Sequence, residues 1–161
     1  MIQPDKGAHG ELTVPVKSLD TGIPLRNEHL AGVDWLNAGK NPTITFKITE
    51  IQNVKIVKST FDARTYDVVA GGDFRLNGVT RRLRVPARLT YLKESNATKQ
   101  RMPGNLLAVR TSFELSLADF GIKSPKGNAL IGSRVGETVK VEATIVASSA
   151  NSAMALNAAG K

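Results

Sequence analysis

Apolar and polar residues alternate with a period of two over most of the chain. Leu12, Val14 and Val16 are separated by Thr13 and Pro15 and followed by Lys17, and Ile44, Phe46 and Ile48 stand among Thr43, Thr45, Lys47 and Thr49. Successive side chains of a strand point to opposite sides, so each run predicts a strand with one buried face. The less regular VKIVKSTF, residues 54 to 61, either continues the second strand or turns back. Tyr66, Val68, Ala70, Gly72, Phe74 and Leu76 then share one parity before Asn77-Gly78. That dipeptide tolerates positive φ and suits a two-residue hairpin turn. Pairing Leu76 with Val79 carries the same face on through Arg81, Leu83, Val85, Ala87, Leu89 and Tyr91. Two further alternations close the series: Leu107, Val109, Thr111, Phe113, Leu115 and Leu117, then Val135, Glu137, Val139, Val141, Ala143, Ile145 and Ala147. Between them, ADFGIKSPKGNALIGS is rich in turn formers.

Long antiparallel strands with one consistent apolar parity predict an all-β fold, a sandwich or an up-and-down barrel, in place of a parallel α/β sheet. Small residues on the inward parity (Ala70, Gly72, Ala87, Ala143, Ala147) have two readings. They leave a lumen in a barrel of about eight strands, or they offset large neighbours across a packed core. Gly72, under the first reading, makes room. One segment breaks the alternation: GIPLRNEHLAGVDWLNAGKNPTITF, residues 22 to 46, holds the only tryptophan. Pro24 suits a first helical turn, and Leu25, His29 and Leu30 fall on one helical face. The segment therefore reads as a short helical plug that caps one end of the sheet and inserts Trp35 and Leu36 into it. The organisation expected is one domain over residues 1–147 and a mobile low-complexity tail over 148–161, rich in Ala, Ser and Asn.

A chain of 161 residues fits one domain, able to bury roughly 70% of its unfolded surface. No stretch approaches the roughly 20 apolar residues of a membrane helix, and Met1 to Gly10 has no apolar segment of the kind that drives export. Absence of cysteine removes disulfides, thiolate metal sites and thiol nucleophiles. The formal charge of +8 favours anionic partners, and between Arg75 and Arg101 eight basic residues face only Glu94. Aromatic residues make up 5% of the chain and do not alternate with this basic run, which argues against a nucleic-acid platform. His9 and His29 lie at no metal or triad spacing, and Asp73 and Asp119 have no second acid at a motif distance. GGDF and NGVT precede no helix and are not phosphate loops. Neither an enzyme nor a cofactor or metal site is expected. Arg82, Arg84 and Arg88 share the outward parity of a solvated face that can meet an anionic membrane, whereas Arg81 points inward at the rim, where it would attract a polar or phosphorylated head group.

SLDTG (18 to 22), RNEHL (26 to 30), VDWLNAGKNPTITF (33 to 46), GGDFRLNGVTRRLRVP (71 to 86) and FELSLADFGI (113 to 122) resemble, in order and spacing, the YceI-like family of lipid-binding proteins. The resemblance spans roughly Gly10 to Ala147. It implies an extended antiparallel β-barrel of lipocalin type that holds a long polyisoprenoid chain in its lumen, is usually exported to the periplasm and has no catalytic residues. It also implies that Arg26 and His29 bond exposed carbonyls where the helix meets the barrel. The chain departs from the family at Asn27, usually Asp, at Asn41, commonly Tyr, and at Arg81-Arg82, usually Lys-Pro. Family members normally carry a signal peptide and about two further strands ahead of the segment matching Gly10 to Ser18. The barrel is therefore expected to be N-terminally incomplete, with Met1 inside a longer reading frame that supplies the export signal; the alternative is a shortened form that closes as a homodimer.

The resulting expectation is a carrier or sequestering protein for a polyisoprenoid or quinone-type chain. Its ligand would lie against Val14, Phe46, Tyr66, Phe74, Leu89, Phe113 and Val141, with Trp35 at the plug and Arg81 at the head group. Transfer of hydrocarbon from water would drive binding at roughly 0.8 kcal/mol per CH₂. The competing expectation is a non-enzymatic module with a filled core whose basic face docks on an anionic membrane or protein.

Overall fold

The alternating runs form one sheet of seven strands, each hydrogen-bonded to its neighbour in the chain. The computed structural model describes residues 9–122 and 138–157. In order they are β1 (Gly10–Pro15), a 3₁₀ turn (Val16–Ser18), α1 (Pro24–Ala31), β2 (Thr43–Ser59), β3 (Ala63–Leu76), β4 (Val79–Leu92), α2 (Asn96–Lys99), β5 (Leu106–Ser116), a second 3₁₀ turn (Ala118–Phe120), β6 (Thr138–Ser148) and β7 (Asn151–Asn157). All pairings are antiparallel. The sheet curls into a half-barrel, and among the described residues no ladder joins β7 to β1.

The β3–β4 hairpin has the expected register, Leu76 opposite Val79, with Asn77 (φ 50°) and Gly78 (φ 76°) both left-handed, as a type I′ turn requires. Residues 54 to 59 continue β2. Register shifts between Ile48 and Glu50, Gln52 and Lys55, and Ile56 and Lys58 bend that strand, and this is why its apolar parity breaks down. Pro86, lacking an N–H, stands where the β4–β5 ladder stops at Ala87–Thr111, and its carbonyl accepts from Thr111 Oγ1 at 2.7 Å. Beyond it, the first half of β4 leaves β5, and the second 3₁₀ turn fills the space.

The plug closes that end. Leu36 and Ala38 are each 5% exposed, and Val16, Phe120 and Ile122 are buried with them. Phe74 is the hub, its ring centroid 6.0 Å from Phe46, 6.3 Å from Phe113 and 5.6 Å from Phe120. Asn41 Nδ2 donates to Asn77 Oδ1 (3.4 Å), Asn77 Nδ2 to Phe120 O (3.2 Å), and Arg81 Nε to Asp119 O (3.0 Å), tying plug, hairpin turn and 3₁₀ turn together.

Four expectations change. Asn151–Asn157, assigned by composition to a mobile tail, form β7, because paired backbone needs no apolar alternation. Gly72 makes no room in a lumen: a Cβ there would overlap the Lys47 carbonyl and lie 2.9 Å from Ile48 Cα, so the glycine lets β2 approach at its first bulge. Leu25 points to solvent, 61% exposed, although Leu30 of the same helix packs on the core. Arg26 and His29 donate no side-chain bond among the described residues. Asn27 holds the helix instead, its Oδ1 accepting from Thr21 N (2.8 Å) and Thr21 Oγ1 (2.7 Å) while Nδ2 donates to Asp20 Oδ1 (2.8 Å). Val135 and Glu137, expected in the last strand, and residues 123–133 of the turn-rich segment lie outside the described residues.

Candidate functional site

The inner face of the half-barrel has two parts. Near the plug its side chains are packed against one another. Toward the opposite end it carries three cross-strand rows: Val68, Ala87, Thr111 and Ala143; Ile56, Tyr66, Leu89, Val109 and Ile145; and Arg64, Tyr91, Leu107 and Ala147. Tyr66 and Ile145 are buried at the floor, but Leu89, Val109, Tyr91 and Leu107 are only half-buried, and Ile56 is 61% exposed. β1 pairs only with Thr43–Ile48, so among the described residues nothing flanks the rest of β2 on its outer side. Among the described residues a partly exposed, mainly apolar trough thus continues from the packed end at Leu36 and Phe120 toward the β2–β3 turn. There a cavity of about 290 Å³ lies among Thr60, Phe61, Asp62, Ala63, Arg64, Tyr66, Tyr91 and Lys93.

The residues expected to line a lumen divide between these parts. Phe46, Phe74, Trp35, Phe113 and Val141 belong to the packed end or lie against it. Tyr66 and Leu89 face each other across β3 and β4 in the open trough. Val14 is half-buried on β1, opposite Ile44. Arg81 pairs with Phe74 as the parity requires, yet its side chain is exposed and its Nε–H is committed to the Asp119 carbonyl, which makes it a fastener of the 3₁₀ turn. Val109, Ile145 and Tyr91 stand in the alternating runs and belong with the candidate residues. Ile56 is hidden in the sequence by the bulges on either side of it.

The outer face differs in chemistry. A groove of about 680 Å³ is lined there by Asp67, Pro86, Arg88, Arg110, Ser112, Glu142 and Thr144 of outward parity, together with Val68, Ala87, Thr111 and Ala143, the inner-face row nearest the plug, while Tyr66, Leu89 and Val109 are not among its walls. Arg88 grips Asp67 through two bonds of 2.7 and 2.9 Å, and this bond is the main reason the Asp67 carboxyl is held below its ordinary pKa. Lys140 likewise lowers Glu142 through a contact of 2.5 Å. Arg82 and Arg84 share Glu50, at 3.0 and 3.9 Å. Glu50, Asp73 and Asp67 thus partly offset Arg82, Arg84 and Arg88, whereas Arg75 and Arg110 form no ion pair among the described residues. No cluster of three metal-ligating groups occurs among the described residues, and no helix there is long and apolar enough to cross a membrane.

The pattern that defines the YceI-like domain matches residues 2–147, nearly the whole chain. The chain belongs to the YceI-like family. Among YceI-like relatives, a UPF0312 protein of Pseudomonas paraeruginosa is 37% identical over 119 residues, covering 74% of this chain and 54% of its own length. Protein YceI of Escherichia coli is 29% identical over 118 residues, covering 73% and 54%. The chain spans about half the length of the curated relatives it matches. The YceI protein of Campylobacter jejuni superposes with a TM-score of 0.64 at 14% identity, over 91% of this chain and 86% of that one. BcnA of Burkholderia cenocepacia gives 0.62 at 20% identity, over 92% and 80%. These two carry the fold, and they place the seven strands in the YceI-like architecture.

Proposed function

We propose that this YceI-like chain binds and carries, or sequesters, a long apolar lipid of polyisoprenoid or quinone type along the inner trough, without catalysis, and that it works in the periplasm. The observation that carries this reading is the row Ile56, Tyr66, Leu89, Val109 and Ile145, which continues the packed core as hydrocarbon and in which Ile56, Leu89 and Val109 keep exposed surface among the described residues. A flexible chain laid in the trough would gain roughly 0.8 kcal/mol per CH₂ buried, less the cost of ordering it. Affinity would then follow chain length and shape. The competing module, docked by Arg82, Arg84 and Arg88, is weakened by the carboxylates of Glu50 and Asp67 that already hold those guanidinium groups.

Native mass spectrometry after gentle extraction tests the proposal. The expected result is a lipid mass on the parent, lost in Leu89→Glu and retained in Arg110→Gln on the outer face, with circular dichroism unchanged in both. A bare parent protein would reject the carrier, and salt-sensitive vesicle binding that is lost in Arg82→Gln with Arg84→Gln would support the module.

A further inference from the structure

We infer that the β2–β3 hairpin end of the half-barrel is a docking surface for an anionic bilayer, with Phe61 seated among the lipid head groups and Lys58, Arg64 and Lys93 against their phosphates. The turn Thr60 to Ala63 is closed by Thr60 N to Ala63 O (2.8 Å), by Ala63 N to Thr60 Oγ1 (3.0 Å), and by Thr60 Oγ1 to Asp62 Oδ1 (2.8 Å). Lys93 N bonds Asp62 O at 2.7 Å and ties the turn to the end of β4. This frame holds Phe61 outward at 94% exposure, more than any other large apolar residue described. Lys93 Nζ lies 5.2 Å from its ring centroid. Beneath it Tyr66 and Tyr91 line the cavity at the mouth of the trough. Aromatic rings beside cationic groups are the side chains that settle at a membrane interface.

Charge separates this end from the other exposed apolar patch. Around the plug, Ile23, Leu25 and Val33 are 45, 61 and 78% exposed, but the segment from Asp20 to Lys40 carries Asp20, Glu28 and Asp34 against Arg26 and Lys40. At the hairpin end Lys58, Arg64 and Lys93 form no ion pair among the described residues, and the nearby Asp62 carboxylate accepts from Thr60. Among the described residues the hairpin end joins the most exposed large apolar side chain, Phe61, to three cations that outnumber the neighbouring Asp62 and Glu94, the pairing that binds negatively charged lipid surfaces. The inference rests on the carrier reading only in giving the docked end a purpose: it would set the open trough against the membrane that supplies or receives the chain.

The test is flotation of the full chain with vesicles of phosphatidylcholine, with and without phosphatidylglycerol. The parent should float with the anionic vesicles alone, less so in high salt. Phe61→Ser should lower partition about tenfold. Lys58→Gln combined with Lys93→Gln should lower it by about as much or more, at roughly fivefold per cation. Arg82→Gln with Arg84→Gln, and Leu25→Ser, should match the parent. Phe61→Trp should show a blue-shifted emission component on anionic vesicles, over the constant signal of Trp35. A parent that does not float, a Phe61→Ser protein that floats like the parent, or losses that follow Leu25 or Arg82 would overturn the inference. Lipid retention, read separately by mass spectrometry, keeps the two readings apart. Tip-dependent flotation without a bound lipid supports docking and rejects the carrier, whereas a lipid-loaded protein whose flotation ignores Phe61 does the reverse.

Discussion

Asn27 both accepts and donates, and an aspartate in its place can do only the first. Its Oδ1 takes two bonds from Thr21 while its Nδ2 serves Asp20, whose carboxyl is lowered by this bond first and by the Gly22 N–H second. Asn27→Asp would set two carboxylates within hydrogen-bond distance and raise the pKa of one of them. A raised carboxyl destabilises where it must ionise. The thermal midpoint of the variant should therefore approach that of the parent near pH 4 and fall increasingly behind it toward pH 7, as calorimetry would show. Asp67 gives the opposite sign. Its folded pKa is depressed, chiefly by the bond from Arg88, so its stabilising effect is complete above the ordinary carboxylate pKa and is lost as pH falls through the lowered one. The deficit of Asp67→Asn at pH 7 should shrink toward pH 2. Both groups are exposed, so the differences will be small and reduced by salt.

At the scale of elements, the approach of β2 to β3 depends on Gly72. Gly72→Ala must push β2 away at its first bulge, because the obstacle is backbone at Lys47 and Ile48. A loss of about 3 kcal/mol, at the upper end of the usual cost of overpacking, is expected in urea unfolding. Strands whose period is intact were legible in the sequence: β3, β4 and the turn between them follow from Tyr66 to Leu76, Asn77-Gly78 and Val79 to Tyr91, with the register correct. The far half of β2 was not, since three register shifts move Ile56 and its neighbours out of step. Nor was β7, whose assignment comes from backbone pairing to β6. The plug could be read from proline, glycine and the Trp35-Leu36 pair, but its fastening by Asn27, Asn41 and Arg81 depends on residues distant in sequence. Parity placed Tyr66 and Leu89 on one face of β3 and β4, where they stand opposite each other. It could not show that Phe46, Phe74 and Phe113 are consumed by the packed end, because that outcome is set by Phe120, which arrives from another segment.

For the described residues taken together, the decisive feature is a curled sheet packed tightly at the plug and more loosely toward the β2–β3 turn, and the expected effect of Leu89→Glu on lipid retention rests on that asymmetry. The strand order has a separate kinetic consequence. Because every ladder joins neighbours in the chain, no crossover connection has to close, but pairs such as Glu11 with Lys47 and Leu106 with Ser148 still join residues far apart in sequence, which predicts the slow folding typical of strand-built domains. The fourteen-residue arms on either side of Asn77-Gly78, paired without a register break, are the natural nucleus. Stopped-flow measurements should find that Asn77→Ala slows refolding, and that it also speeds unfolding to the extent that its bonds to Asn41 and Phe120 form after the turn. The sheet would then zip outward from that turn in both directions, its margins closing last.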